Sequence, residues 1–185
     1  MRLIRRPFAA DEASAAKNFI QLGHRQTAIE AAVVAIQRQS DTTLAQPVCD
    51  PLTSELAETM RDWVIESLLQ GAYLREYHLW EKDCKAYFSA MAQKNDACVS
   101  VKPKPNQHFV ALVGELLAAF SVSIPGSILP GIDYMRSRVN TMKHDAGLKL
   151  EHFITAEEYK AAMSALEGFW NHLAGCEHVT MAPAR

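Results

Sequence analysis

Between residues 54 and 91 the apolar side chains Leu56, Met60, Trp63, Val64, Leu68, Tyr73, Tyr77, Trp80, Cys84, Tyr87, Phe88 and Met91 recur at three- and four-residue spacing. Only a helix gathers such positions on one face, and an element of about 40 residues, the longest in the chain, commits the fold to helices. Ser54 reads as its N-cap and Gly71 as the place where it bends.

The rest of the chain repeats the pattern. Residues 11–39, alanine-rich and free of proline, carry Ala16, Phe19, Ile20, Ile29, Ala32, Val33 and Ile36 at the same spacing, with Gly23 as a point of interruption. The stretch 40–54 holds Ser40, Asp41, Thr42, Thr43, Pro47, Asp50 and Pro51, turn formers that predict a loop. A second loop is expected over 95–107, where Pro103 and Pro105 force an extended course. Residues 109–122 are apolar almost all round, which predicts a central, enclosed helix stopped by Pro125-Gly126. Ile132, Met135, Val139, Met142 and Ala146 form the core stripe of a helix over 132–146. Thr155-Ala156-Glu157-Glu158 is a capping box, and it opens a last helix burying Tyr159, Ala162, Met163, Leu166, Phe169, Trp170 and Leu173 before Gly175. Apart from a short extended piece over 148–154, no sustained alternation predicts a strand. The expected architecture is an all-α bundle of four or five helices, one domain over 1–185 with loose termini at 1–10 and 176–185.

Composition narrows the function classes. With 49% apolar and 22% charged residues the chain belongs with globular proteins, and a net charge of −2 means that any contact with nucleic acid must rest on a local basic patch. Cys49, Cys84, Cys98 and Cys176 form no C-x-x-C pair, which fits a reducing compartment. The basic start Arg2, Arg5, Arg6 lacks the apolar run of a signal peptide, and the most apolar stretch, 109–124, is interrupted by Glu115 and shorter than the ~20 residues of a bilayer span. A soluble cytoplasmic protein without membrane attachment is expected. Neither H-E-x-x-H nor E-x-x-H occurs, and glycine-rich phosphate loops and nucleophile elbows are missing, so no metal and no cofactor are expected. His172, Cys176 and His178 read as exposed polar residues near a terminus rather than ligands.

The chemistry concentrates in 133–145. At about 100° per residue, Asp133, Ser137, Asn140 and His144 fall opposite the apolar stripe of their helix. Arg136, Arg138, Lys143, His144 and Lys149 gather positive charge there, which suits an anion, although a solvated helix face has the same composition.

Arg138 through His144 reads R-x5-H, which resembles the R-x4-6-H motif of the HEPN superfamily, the higher eukaryotes and prokaryotes nucleotide-binding domains, compact helical bundles. Small residues trail the histidine in His144-Asp145-Ala146-Gly147, as in the family, while Val139 stands where a polar residue often follows the arginine. Glu81-x3-Lys85 on the long helix is similar to the E-x3-K/R element of many members; read alone it is an i,i+4 ion pair worth a few tenths of a kcal/mol. The resemblance implies a HEPN-like bundle acting as a metal-independent endoribonuclease, in which the RNA 2′-hydroxyl attacks the adjacent phosphorus. It implies His144 as the proton-transfer group, whose ordinary pKa of about 6.5 suits that task. Arg138 is implied as the phosphate clamp, with Asn140 orienting the imidazole and Lys143 adding charge. It further implies a homodimer, an RNA substrate, a role in defence, stress or a toxin–antitoxin pair, and an antitoxin or nucleotidyltransferase partner.

Helix geometry complicates the pairing. On an unbroken helix, residues 138 and 144 point about 120° apart, whereas Arg136, Asn140 and His144 form an i, i+4, i+8 stripe, which makes Arg136 the rival arginine. A helix starting after Arg138, or a site assembled across a two-fold, resolves the conflict. The alternative function is a noncatalytic helical module that binds nucleotide, RNA or a partner protein. A metal-binding four-helix enzyme ranks last.

Overall fold

A computed structural model describes residues 12–45, 51–94, 107–144 and 153–175, and these form five helices. They are α1 (Glu12–Leu44), α2 (Pro51–Lys94), α3 (Phe109–Ala119), α4 (Ile128–His144) and α5 (Ala156–Gly175). No strand occurs among the described residues, and none of their helices is long and apolar enough to cross a membrane. The expected extended piece over 148–154 lies mostly outside them.

α1 and α2 run antiparallel in a single register. Arg25 pairs with Glu76, and a groove near the hairpin end sets Ile36 and Ser40 against Val64 and Arg61. Both helices continue through Gly23 and Gly71 without interruption, and both intrude into the expected 40–54 loop. Thr42 lies within the helix with its hydroxyl donating to the Arg38 carbonyl at 2.8 Å rather than to a turn. Pro51 opens α2 at a first-turn position, where its missing N–H has no helical acceptor to lose.

At 1.5 Å per residue α1 is about 50 Å long, α2 about 66 Å and α5 about 30 Å, so the hairpin outruns its cover. α5 lies along the other end of α2, with its first turn by Leu69 and Trp170 against Tyr87. The expected stripe of α2 is therefore buried only from Tyr73 onward, with Leu68 half-buried, while Leu56, Met60, Trp63 and Val64 are exposed. α1 shows a matching departure. Ala15 and Leu22 are buried, with Ile29 and Val33 packed against the core, but Phe19 and Ile20 face solvent.

The core centres on Trp80, which meets Phe109 and Phe169 edge-on at centroid distances of 5.7 and 5.5 Å. Ile132, Met135 and Val139 of α4 are fully buried, and all seven expected residues of α5 are buried too. α4 and α5 approach closely at Gly131, where a Cβ would stand 3.1 Å from that of Ala165. α3 is not central, contrary to its apolar sequence. It buries Val110, Val113 and Leu117, but Ala111, Ala118 and Ala119 face outward, small apolar residues that leave little surface to cover. It also ends before the expected 122. Ser121 adopts φ 58°, with Ser121 N–H donating to the Ala118 carbonyl and Val122 N–H to the Leu117 carbonyl. That is a Schellman stop without the glycine that usually signals it.

One charged side chain is enclosed in this core. Glu76 is 1% exposed and accepts from Arg25 Nε at 3.0 and 2.8 Å and from Arg75 Nη2 at 3.1 Å. Burial of a carboxylate is tolerable because both cations and their N–H groups accompany it.

Candidate functional site

α4 carries its two central arginines on opposite edges of its buried stripe. Residues 136 and 138 leave a helix about 200° apart, so each meets a different neighbour. Because α4 begins at Ile128, Arg138 is mid-helix, and a helix starting after Arg138 does not reconcile it with His144.

On the edge facing α5, Arg138 is largely enclosed. Its Nη2 donates to the Phe153 carbonyl at 3.2 Å, and its Nε stands 3.2 Å from Glu158 Oε1. The latter contact has the distance of an ion pair but not the angle of a hydrogen bond, so we treat it as a charge contact. Glu158 also closes the expected capping box. It accepts from Thr155 N–H at 3.1 Å and returns its own N–H to the Thr155 hydroxyl at 3.1 Å. The Tyr134 hydroxyl donates to the same carboxylate at 3.0 Å. Arg138 thereby ties α4 to the first turn of α5.

The opposite edge faces α2 and the start of α3. Arg136 Nε donates to Asp133 Oδ1 at 2.7 Å, and His108 Nδ1 lies 3.5 Å from the same oxygen. His108 is the N-cap of α3, and its Nδ1 accepts from Ala111 N–H at 3.3 Å. From α2, Tyr77 donates its hydroxyl to Glu81 Oε1 at 3.1 Å, and His78 Nδ1 lies 3.5 Å from Glu81 Oε2. Burial pushes the Tyr77 phenol well above its usual 10, the Glu81 carboxylate adds to the rise, Arg136 opposes it and Asp133 reinforces it. The two pairs, Tyr77–Glu81 and Arg136–Asp133, thus act on each other electrostatically.

The sequence-predicted residues divide accordingly. Glu81 and Arg136 share the α2–α4 face. Lys85, one turn beyond Glu81, forms no i,i+4 ion pair with it and instead places Nζ 5.0 Å from the centroid of the Phe109 ring, next to His108. Asn140 and Lys143 are exposed on the same edge of α4 as Arg136. His144 closes α4, and its side chain lies outside the described residues, as do Asp145 to Lys149. Along the helix axis Arg136 and His144 are about 12 Å apart. Arg138 stands apart with α5.

Sequence reasoning placed Asp133 on the polar face of its helix but missed its pair with Arg136, and it missed His108, His78 and Tyr77 as neighbours of this site. The i,i+3 spacing of Asp133 and Arg136 was readable, whereas the approach of His108 to Asp133 depends on how α3 docks. His172, expected to be merely exposed, is half-buried and bonds through its ring Nε2 to the Ser123 carbonyl. Among the described residues, no three His, Cys, Asp or Glu side chains converge as a metal site requires.

No family model matches the chain, and no match was found among curated proteins or solved structures.

Proposed function

We propose that this chain is a metal-independent endoribonuclease of HEPN type, with His144 as the proton-transfer group and Arg136 as the arginine that holds phosphate. The observation that carries this reading is the open edge of α4. Arg136, Asn140 and Lys143 lie along it toward His144, and Glu81 of α2 stands on the same side of the bundle. The RNA 2′-oxygen forms a bond to the adjacent phosphorus as the 5′-oxygen leaves, giving a 2′,3′-cyclic phosphate. An imidazole serves either end of that step, taking the 2′-OH proton or supplying one to the departing oxygen. The planar guanidinium offsets charge on the nonbridging oxygens. Since about 12 Å of helix separates residues 136 and 144, a second copy related by a two-fold supplies the arginine that faces a given His144.

A noncatalytic module of the same architecture is the second reading, favoured by one observation: Arg138, the arginine of the R-x5-H motif, is held by Glu158 and the Phe153 carbonyl. Incubation with single-stranded RNA in EDTA separates the two. Cleavage by the wild type that His144→Ala abolishes and Arg136→Ala reduces supports the nuclease. Equal background in wild type and His144→Ala removes it.

A further inference from the structure

Beside the α2–α4 face lies a cleft of about 240 Å³ between α2 and α3, walled by Phe88, Phe109, Leu116 and Phe120, with Lys85 and Ser89 at its mouth. Phe88 and Phe120 stack behind it, at 6.1 Å between centroids and 16° between planes. The volume falls below the ~300–1,000 Å³ of sites that enclose a whole drug-sized ligand, so the cleft suits a single ring system. Among the described residues of this lining Lys85 is the only cation, and its ammonium rests on the half-buried Phe109 ring rather than against the neighbouring Glu81, which is held by Tyr77. Apolar and aromatic walls with one cation at the rim complement a planar ring that carries an anion.

We propose that this cleft receives one base of a single-stranded RNA, with the phosphate of the same nucleotide on Lys85. The inference rests on the reading of the protein as an RNA-acting chain and adds to it the place where the strand is anchored. The base slides over the Phe109 face now covered by Lys85, and the displaced ammonium pairs with the phosphate. Stacking of this kind tolerates any base, because every base presents a π-face, so the anchor confers position on the strand rather than sequence preference. His108, adjacent to Phe109 in the chain, and Arg136 beyond it extend the polar track from the cleft toward the open edge of α4.

The test is equilibrium binding of a short 2′-O-methylated strand, which lacks the attacking hydroxyl and survives incubation, compared with the same strand made abasic. Intact bases strengthen binding to the wild type by about tenfold, the scale of one base stacked on an aromatic ring. Ser89→Phe, a change at an exposed position that fills the mouth without removing a core side chain, brings the intact strand down to the abasic level at an unchanged melting temperature. Phe109→Ala likewise removes the base-dependent difference, at a lowered melting temperature because Phe109 packs on Trp80, and Lys85→Ala lowers the salt dependence of binding. Equal binding of the two strands, no binding of either, or discrimination that persists in Ser89→Phe overturns the proposal. Failure of the nuclease reading is seen separately, as unmodified RNA left uncut while the base-dependent difference remains.

Discussion

Arg138 of α4 and Glu158 of α5 face each other at 3.2 Å, and the same carboxylate serves the Tyr134 hydroxyl and the N–H of Thr155. A single Glu158 therefore caps α5 and fastens it to α4. Two residues before Arg138, Arg136 points to the other side of the helix and, among the described residues, pairs with Asp133, one turn back in its own helix.

This asymmetry separates the two arginines in stability. Arg138→Ala removes a charge-assisted bond and a partly buried ion pair and should lower the unfolding free energy by about 1–3 kcal/mol. Arg136→Ala removes a half-exposed pair and should cost about 0.2–1 kcal/mol. Urea titrations of both variants check this, and equal midpoints would contradict the structural role given to Arg138.

Glu76 is a second strut. Its truncation to Ala leaves Arg25 and Arg75 without their shared carboxylate. The cost should be about 2–4 kcal/mol, below the 3–5 of a fully enclosed pair because both arginines keep contact with solvent. Replacing Arg25 and Glu76 together by Met and Leu should recover most of that loss, since the double variant strands no charge in that pair. Chemical denaturation of the single and double variants decides it.

Tyr159 gives a pH signature. Burial, reinforced by the charges of Glu76 and Glu30, raises its phenol from 10 to about 12. A group with a raised folded-state pKa contributes stability that is complete below its unfolded pKa and is lost as pH rises toward the folded one. The protein should therefore lose stability between about pH 10 and 12, with Tyr73 and Tyr77, shifted in the same direction, contributing to the loss. The Tyr159 hydroxyl is buried without a hydrogen-bond partner, so Tyr159→Phe should melt at or above the wild-type temperature at pH 7 and lose less by pH 11. A variant that melts well below wild type at pH 7 would refute this.

The tryptophans report the uneven cover of α2. Trp63 is 52% exposed, whereas Trp80 and Trp170 are each 2% exposed. Trp80→Ala should cost about 3–5 kcal/mol and Trp63→Ala less than about 1 kcal/mol. Acrylamide should quench one emitting component readily and spare the others, and Trp63→Phe should remove the quenchable part.

Local sequence by itself determined where helices form and which way each residue points from its axis. The Ile132, Met135, Val139 stripe, the Thr155–Glu158 box and the seven buried residues of α5 all occur as their spacing predicts. The placing of Asn140 and Lys143 on the edge of Arg136 was equally legible, because azimuth follows from 3.6 residues per turn. Tertiary structure alone decided what stands opposite each face. Leu56, Met60 and Trp63 carry a core-like spacing but lie past the end of α5, so nothing among the described residues covers them. Glu76 looks like a surface residue until Arg25, fifty-one positions away, meets it across the hairpin. Arg138 has the spacing of an R-x5-H pair yet is held by Glu158, and His108 meets Asp133 only because α3 docks against α4. Helical periodicity specifies a direction from one axis, whereas burial and ion pairing depend on the length and position of a second axis.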